Sequence, residues 1–353
     1  MIIVFHLTYF INFPMYLTVI NDWFGIGVQI FFLISGFSLF YGYFDHKNDP
    51  GWIKKYIIRR FLRIAPLFYI MIVFWSVLLF FNQGVLYSFG EYLLNFTLLF
   101  NLVPGVHISI VWAGWSIGVL FLFYLILPIL IVAVRRLSVS LAVLVGSLFI
   151  SSYYYDYIST LASFPESYGY MSIITQFPFF MMGIVCFFLI KKLLVNEELF
   201  EKRVIKVIGL GLVVFGIFIA CILIWSTPTN IFLSQIPFIY SEYYAWGIVL
   251  VCLLIGLILY PWKGVVNSVS KFLGNRSYSV YLFHPFLVSL SVPVYNSIYG
   301  WIGDLSLSFL ISFIYTLIMI VIISSLTYKF IEQPAIKYGS SFILKIYSGK
   351  NLN

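Results

Sequence analysis

Val207-Ile-Gly-Leu-Gly-Leu-Val-Val-Phe-Gly-Ile-Phe-Ile-Ala-Cys-Ile-Leu-Ile224 carries no charge from end to end, and Lys202, Arg203 and Lys206 stand immediately before it. Coiled at 1.5 Å per residue the run covers about 27 Å, close to the roughly 30 Å hydrocarbon core of a bilayer. Runs of the same kind recur along the chain. They predict membrane-spanning helices at roughly 1–20, 24–44, 64–82, 111–134, 138–155, 170–190, 206–226, 243–260, 278–297 and 306–329. A transmembrane β-barrel would instead show short segments of alternating polarity. The expected fold is all-α: a polytopic transmembrane helical bundle of about ten helices, forming a single domain over residues 1–353.

Composition agrees. Of 353 residues, 62% are hydrophobic and 9% charged, too little charge to cover a water-soluble body of this size. The polar stretches 45–63 and 191–206 read as loops. Cys186, Cys221 and Cys252 all fall inside apolar runs, with no metal-ligand spacing, and read as small buried hydrophobes. Trp23, Trp112, Trp225, Trp246, Trp262 and Trp301 fall near span ends, where amphipathic rings favour the headgroup level.

The net charge of +8 is not a nucleic-acid signal, because its distribution follows the spans. With the loops numbered alternately, all 20 Lys and Arg fall in one set, while the acidic residues divide evenly. Basic residues in short loops stay on the cytoplasmic side. Both termini are therefore expected in the cytoplasm of a cell-membrane protein, with 83–110, 156–169 and 227–242 outside. The first span starts at Met1 without a basic flank, so either the natural start lies upstream or this helix begins abruptly.

Ionisable side chains at membrane depth are costly and mark candidate functional positions. His6 lies in the first span. His284 lies about seven residues into the ninth, roughly 10 Å below the cytoplasmic face. Two histidines at similar depth can share a cavity, or each can simply bond a neighbouring helix. His46 and His107 read as solvated loop residues. In Trp52-Ile-Lys-Lys-Tyr-Ile-Ile-Arg-Arg-Phe-Leu-Arg63-Ile-Ala-Pro66, basic and apolar residues alternate at helical spacing, with Arg60 and Arg63 on one face. This is either an interfacial helix drawn to anionic lipid or a cationic cradle for the phosphates of a cytosolic ligand. Small residues in Gly25–Phe37, Gly114–Gly118 and Ser277–Pro285 are consistent with close helix packing.

In order along the chain, these segments resemble the acyltransferase-3 family of membrane acyltransferases. His6 matches the family's first-helix histidine. Gly27-Val-Gln-Ile-Phe-Phe-Leu-Ile-Ser-Gly-Phe37, Arg60-Phe-Leu-Arg63-Ile-Ala-Pro66 and Trp115-Ser-Ile-Gly-Val-Leu-Phe-Leu-Phe-Tyr-Leu-Ile-Leu-Pro128 are similar to its next blocks. Pro178–Gly183, Ser277-Tyr-Ser-Val-Tyr-Leu-Phe-His-Pro285 and Ile331-Glu-Gln-Pro334 fit its later ones. The family's fourth-span glutamate falls on Leu120 here, and its arginine upstream of the first-helix histidine precedes the point where this chain begins.

The resemblance implies transfer of an acyl group, usually acetyl, from cytosolic acyl-CoA to a hydroxyl of a cell-surface sugar or lipid-linked glycan. It implies His6 as general base, with Leu120 at the acid position and His284 in the catalytic set. Arg60, Arg63 and Tyr281 stand on the donor side. No metal and no permanently bound cofactor is implied; acetyl-CoA is a substrate, and the further partners are the sugar or glycan acceptor and membrane lipid. Leu120 keeps a catalytically impaired, acyl-CoA-binding relative in view. A transporter or flippase of a lipid-linked sugar is the alternative from another class, although the paired interrupted spans that would point to it are absent from the sequence.

Overall fold

The computed structural model describes residues 1–18, 23–162, 164–195, 202–225 and 241–348. Among them every regular element is helical. In chain order these are α1 (Ile2–Leu7), α2 (Gly27–Tyr43), α3 (Trp52–Gln83), α4 (Phe89–Phe96), α5 (Trp115–Ala133), α6 (Leu137–Ser159), α7 (Glu166–Met171) and α8 (Ile173–Val195). There follow α9 (Lys202–Trp225), α10 (Ser241–Leu259), α11 (Ser268–Asn275), α12 (Ser277–Leu290), α13 (Val292–Ile302) and α14 (Leu305–Thr327). A π-helical turn, Tyr328–Glu332, then leads into α15 (Gln333–Ser348).

Seven of the described helices are long and apolar enough to cross a membrane, and an eighth span results if the bent pair α12–α13 is taken as one. The shorter apolar helix Tyr243–Leu259 occupies the place expected for the eighth span. The expectation of about ten is therefore close without being met in number, and residues 1–20 account for part of the difference. Among the described residues the helix Ile2–Leu7 stops early; turns follow through Phe10 to a bend at Ile11, and Asn12–Pro14 interrupts the path before a short 3-10 turn at Met15–Leu17. Pro14 has no N–H to continue a ladder. The ninth span is also not straight: α12 and α13 meet at Ser291 with a bend of 59°. The loop expected at 227–242 lies almost wholly outside the described residues.

The stretch 52–63, read as loop, is helix. It forms the first part of α3, which runs unbroken for 32 residues through Pro66, or about 48 Å. Gly84 stops it in the left-handed conformation (φ 67°), its N–H bonding the Phe80 carbonyl. Two other expectations fail on burial. His107 is fully buried, with Nδ1 accepting from the Gly105 N–H at 3.2 Å, and burial holds its imidazole below the usual range. Cys221 is exposed, whereas Cys186 and Cys252 are buried.

The chain divides into two compact units. The first comprises Met1–Gly25, Asp49–Leu125 and the chain from Lys271 onward. Here α12 packs on α14, α3 and α1, and α15 packs on α3. Val4, Leu7, Ile11, Val288, Tyr295 and Phe309 form a buried core around α1. The second comprises Ile26–Asn48 and Ile126–Ser270. Its closest crossing is α2 on α8, where a Cβ on Gly36 would lie 2.1 Å from the Phe180 carbonyl oxygen and one on Gly183 would lie 2.0 Å from that of Leu33. Backbones meet there with nothing between them, which is how small residues replace hydrophobic driving force in lipid. Buried Gln29 ties α2 to both α7 and α8, donating to Tyr170 Oη at 2.9 Å and Gln176 Oε1 at 3.0 Å.

Candidate functional site

The candidate site lies in the first unit and starts from an interrupted hydrogen-bond ladder. Within α12, Pro285 offers no N–H to the carbonyl of Tyr281, four residues earlier. The Nδ1 of His284 lies 2.5 Å from that carbonyl oxygen. An oxygen of this kind only accepts, so Nδ1 carries the proton and Nε2 of the neutral ring is an acceptor. His6 Nδ1 lies 2.6 Å from that Nε2 and donates to it. The two rings are nearly coplanar, 16° apart. His6 is left with its Nε2 as a basic lone pair. His6 is 9% exposed and His284 fully buried.

Tyr281 extends this arrangement to α5. Its hydroxyl donates to the Ala113 carbonyl at 3.0 Å and lies 2.6 Å from Ser116 Oγ. Its oxygen thus bonds at the start of α5, beside the histidine pair. The segment before α5 is itself under constraint. Ser109 (φ 77°) and Ala113 (φ 61°) hold left-handed conformations, each costing on the order of 1–3 kcal/mol for a residue with a Cβ. Buried Asn95 clamps this turn, accepting from Ser109 Oγ at 2.7 Å and from the Ile110 N–H at 3.1 Å. The result fixes Trp112, whose ring stands 5.1 Å from that of His6.

Ser116, Leu120 and Tyr124 are spaced four residues apart and share one face of α5. Ser116 meets Tyr281 at one end. About 12 Å along the helix, Tyr124 lies under the Arg60 guanidinium, 5.8 Å from its ring centre, and its carbonyl accepts from Tyr56 Oη at 3.0 Å. Leu120 is half-buried midway between them. Arg63 sits beside a second buried polar group. Tyr278 Oη donates to the Ile64 carbonyl at 2.7 Å, and Ser279 Oγ donates to Oε1 of Glu332, which is 1% exposed. Arg63 acts electrostatically on both Glu332 and Tyr278. The π-helical turn displaces Glu332 from the α-helical register that joins α14 to α15, a common device at functional positions.

The structure therefore brings His6, His284 and Tyr281 together, and places Arg60 and Arg63 at a different level of the same unit. Ser116, Ser279 and Glu332 entered the sequence reading only as members of the Trp115–Pro128, Ser277–Pro285 and Ile331–Pro334 blocks, and Trp112 only as a ring near a span end. Among the described residues, no three His, Cys, Asp or Glu side chains converge as a metal site would require.

The family model for an acyltransferase domain matches residues 1–328. The peptidoglycan O-acetyltransferase OatA of Listeria monocytogenes serovar 1/2a is 26% identical over 92% of this chain and 53% of its own length. The Staphylococcus aureus (strain COL) protein named "Putative O-acetyltransferase SACOL0978" is 24% identical over 89% of this chain and 53% of its own. The chain spans about half the length of these curated relatives. No solved structure matches it. With several apolar spans and a family match that covers nearly all of its length, the chain is a multi-pass membrane protein and belongs to the acyltransferase-3 family.

Proposed function

We propose that this chain is a membrane O-acyltransferase that moves an acyl group, acetyl in the simplest case, from cytosolic acyl-CoA to a hydroxyl of a sugar or glycan. The observation that carries the reading is the line from the Tyr281 carbonyl through His284 to His6, which leaves one basic nitrogen, His6 Nε2, fixed in a buried place. A general base needs that fixed tautomer. His6 Nε2 takes the proton of the acceptor hydroxyl as its oxygen attacks the thioester carbonyl. The tetrahedral intermediate collapses, the C–S bond breaks, and the proton passes from His6 to the departing CoA sulfur.

Arg60 and Arg63 hold the phosphates of CoA, for which the planar guanidinium is suited. The acyl-pantetheine arm runs along the Ser116–Leu120–Tyr124 face of α5 to the histidine pair. In this scheme Leu120 does not disable the site, because the orienting partner of the imidazole chain is a backbone carbonyl. Both termini and the arginines face the cytoplasm of the cell membrane, following the one-sided distribution of basic loops. One relative's name specifies peptidoglycan, so glycan strands of that chemistry are the first acceptors to try.

The test is CoA release by the purified protein in lipid nanodiscs, with acetyl-CoA and a panel of glycans. Acceptor-dependent release that disappears in His6→Ala is the expected result. Release that persists in that variant removes the general-base role, and the absence of release with every acceptor would leave a CoA-binding or transport protein.

A further inference from the structure

The aromatic side chains around His6 form more than packing. Trp112 is half-buried and its ring lies 5.1 Å from His6 and 6.4 Å from Tyr9. Tyr9 is 60% exposed. Trp75 stands edge-on to Trp112 at 6.1 Å and is only 4% exposed. Its Nε1–H finds no hydrogen-bond partner among the described residues. A buried indole N–H normally has one. The Trp112 turn is also held by unusual means, with left-handed Ser109 and Ala113 on either side and the Asn95 and Tyr281 hydrogen bonds clamping it. Backbone strain that surroundings maintain so fully gathers where a site must be pre-organised.

An indole beside a basic nitrogen, a phenol ring set nearly perpendicular to it, and a buried donor with no partner among the described residues match a hexose. One face of a pyranose is a set of C–H groups, which pack on the electron-rich face of an indole or phenol, and its oxygens accept hydrogen bonds. We propose that Trp112, Tyr9 and Trp75 form the acceptor subsite: the C–H face of one sugar ring packs on Trp112, while Tyr9, standing nearly perpendicular to that indole, borders the ring at its side, the Trp75 Nε1–H donates to a ring or hydroxyl oxygen, and a free hydroxyl of that ring comes to His6 Nε2. The assignment rests on the acyl-transfer reading for the role of His6, but the sugar contact itself stands on the aromatic geometry.

Two substitutions separate binding from structure. Trp112→Leu removes the platform while keeping an apolar side chain. Trp75→Phe keeps the ring and removes the N–H. The probe is a soluble N-acetylhexosamine tetrasaccharide, titrated into nanodisc protein and followed by saturation-transfer NMR. Trp112→Leu is expected to weaken sugar binding roughly tenfold, since a stacking contact of this kind contributes up to about that factor. Acetyl-CoA affinity should stay unchanged. Trp75→Phe should weaken sugar binding severalfold with no fall in Tm, because it deletes a donor that has no partner among the described residues. A Tm that drops while sugar affinity holds would make Trp75 purely structural and overturn the subsite. Equal sugar binding by wild type and Trp112→Leu, or none by wild type, would overturn it as well. If the sugar binds as expected yet no CoA is released, the acyl-transfer reading fails and the subsite stands.

Discussion

Pro285 and Tyr281 are one helical turn apart, and the proline withholds the N–H that would otherwise bond the tyrosine carbonyl; His284 takes its place at 2.5 Å. Replacing Pro285 with Ala returns a backbone donor to that carbonyl. His284 then loses its fixed tautomer, and His6 with it. Pro285→Ala is expected to lower kcat about 10–100-fold, the range seen when a group that orients an imidazole is removed. The acid limb of the pH–rate profile should shift while acetyl-CoA KM holds. Stability should rise or stay level, because a proline inside a helix costs about 3 kcal/mol. Wild-type kcat and profile in a stable Pro285→Ala protein would reject the relay.

Arg60 and Arg63 are expected to act on the donor. Each replacement by Ala should weaken CoA binding by about 1.5–3 kcal/mol, as for a hydrogen bond to a charged group, and should flatten the salt dependence seen in the wild type. Isothermal titration with CoA checks this. The two should differ, because Arg63 also acts electrostatically on Glu332. Glu332→Gln should therefore change CoA affinity in the wild type and leave it alone in Arg63→Ala. Unaltered CoA affinity in the double arginine variant would reduce both residues to lipid anchors.

Leu120 lies half-buried one turn from Ser116 and one from Tyr124. A carboxylate at membrane depth is tolerated only beside a partner or a wet cavity. Leu120→Glu is expected to express normally and to raise acyl-transfer activity, and the gain should vanish when His6→Ala is added. Misfolding of Leu120→Glu would mark the position as ordinary packing. A well-folded variant with no gain would show that the carbonyl-anchored histidine pair needs no acid.

Membrane orientation is checked by single cysteines in a variant lacking Cys186, Cys221 and Cys252. Leu86, which is 79% exposed in the segment after α3, should react with an impermeant thiol reagent in intact cells once changed to Cys. Lys263→Cys, at an exposed position between α10 and α11, should react only after permeabilisation. The reverse pattern would invert the topology.

The apolar runs made the main spans legible because a bilayer demands length and hydrophobicity, and both are written locally in the chain. The first span and the ninth were misjudged where punctuation inside an apolar run outweighed its hydrophobicity, at Pro14 and at Ser291 with Pro293 behind it. His6 and His284 stood out as rare polar side chains at depth, yet their hydrogen bond depends on α1 meeting α12, which no local pattern encodes. Trp112 read as one more ring at the headgroup level, because nothing in Val111-Trp112-Ala113 announces left-handed backbone at Ala113 or a neighbour such as His6. His107 was misplaced for a related reason: a loop folded over its own side chains has no periodicity to reveal it.

The pairing of His6 with His284 joins positions 278 residues apart. At the usual pace of synthesis, about 5–20 residues per second, the earlier imidazole waits roughly 15–55 s for its partner to emerge. Until then His6 has no receiving nitrogen on His284, so the pair cannot form on a partly made chain. Translation itself then acts as a timer, and separately expressed fragments divided within 226–240 should regain the pair only when both are present in one membrane.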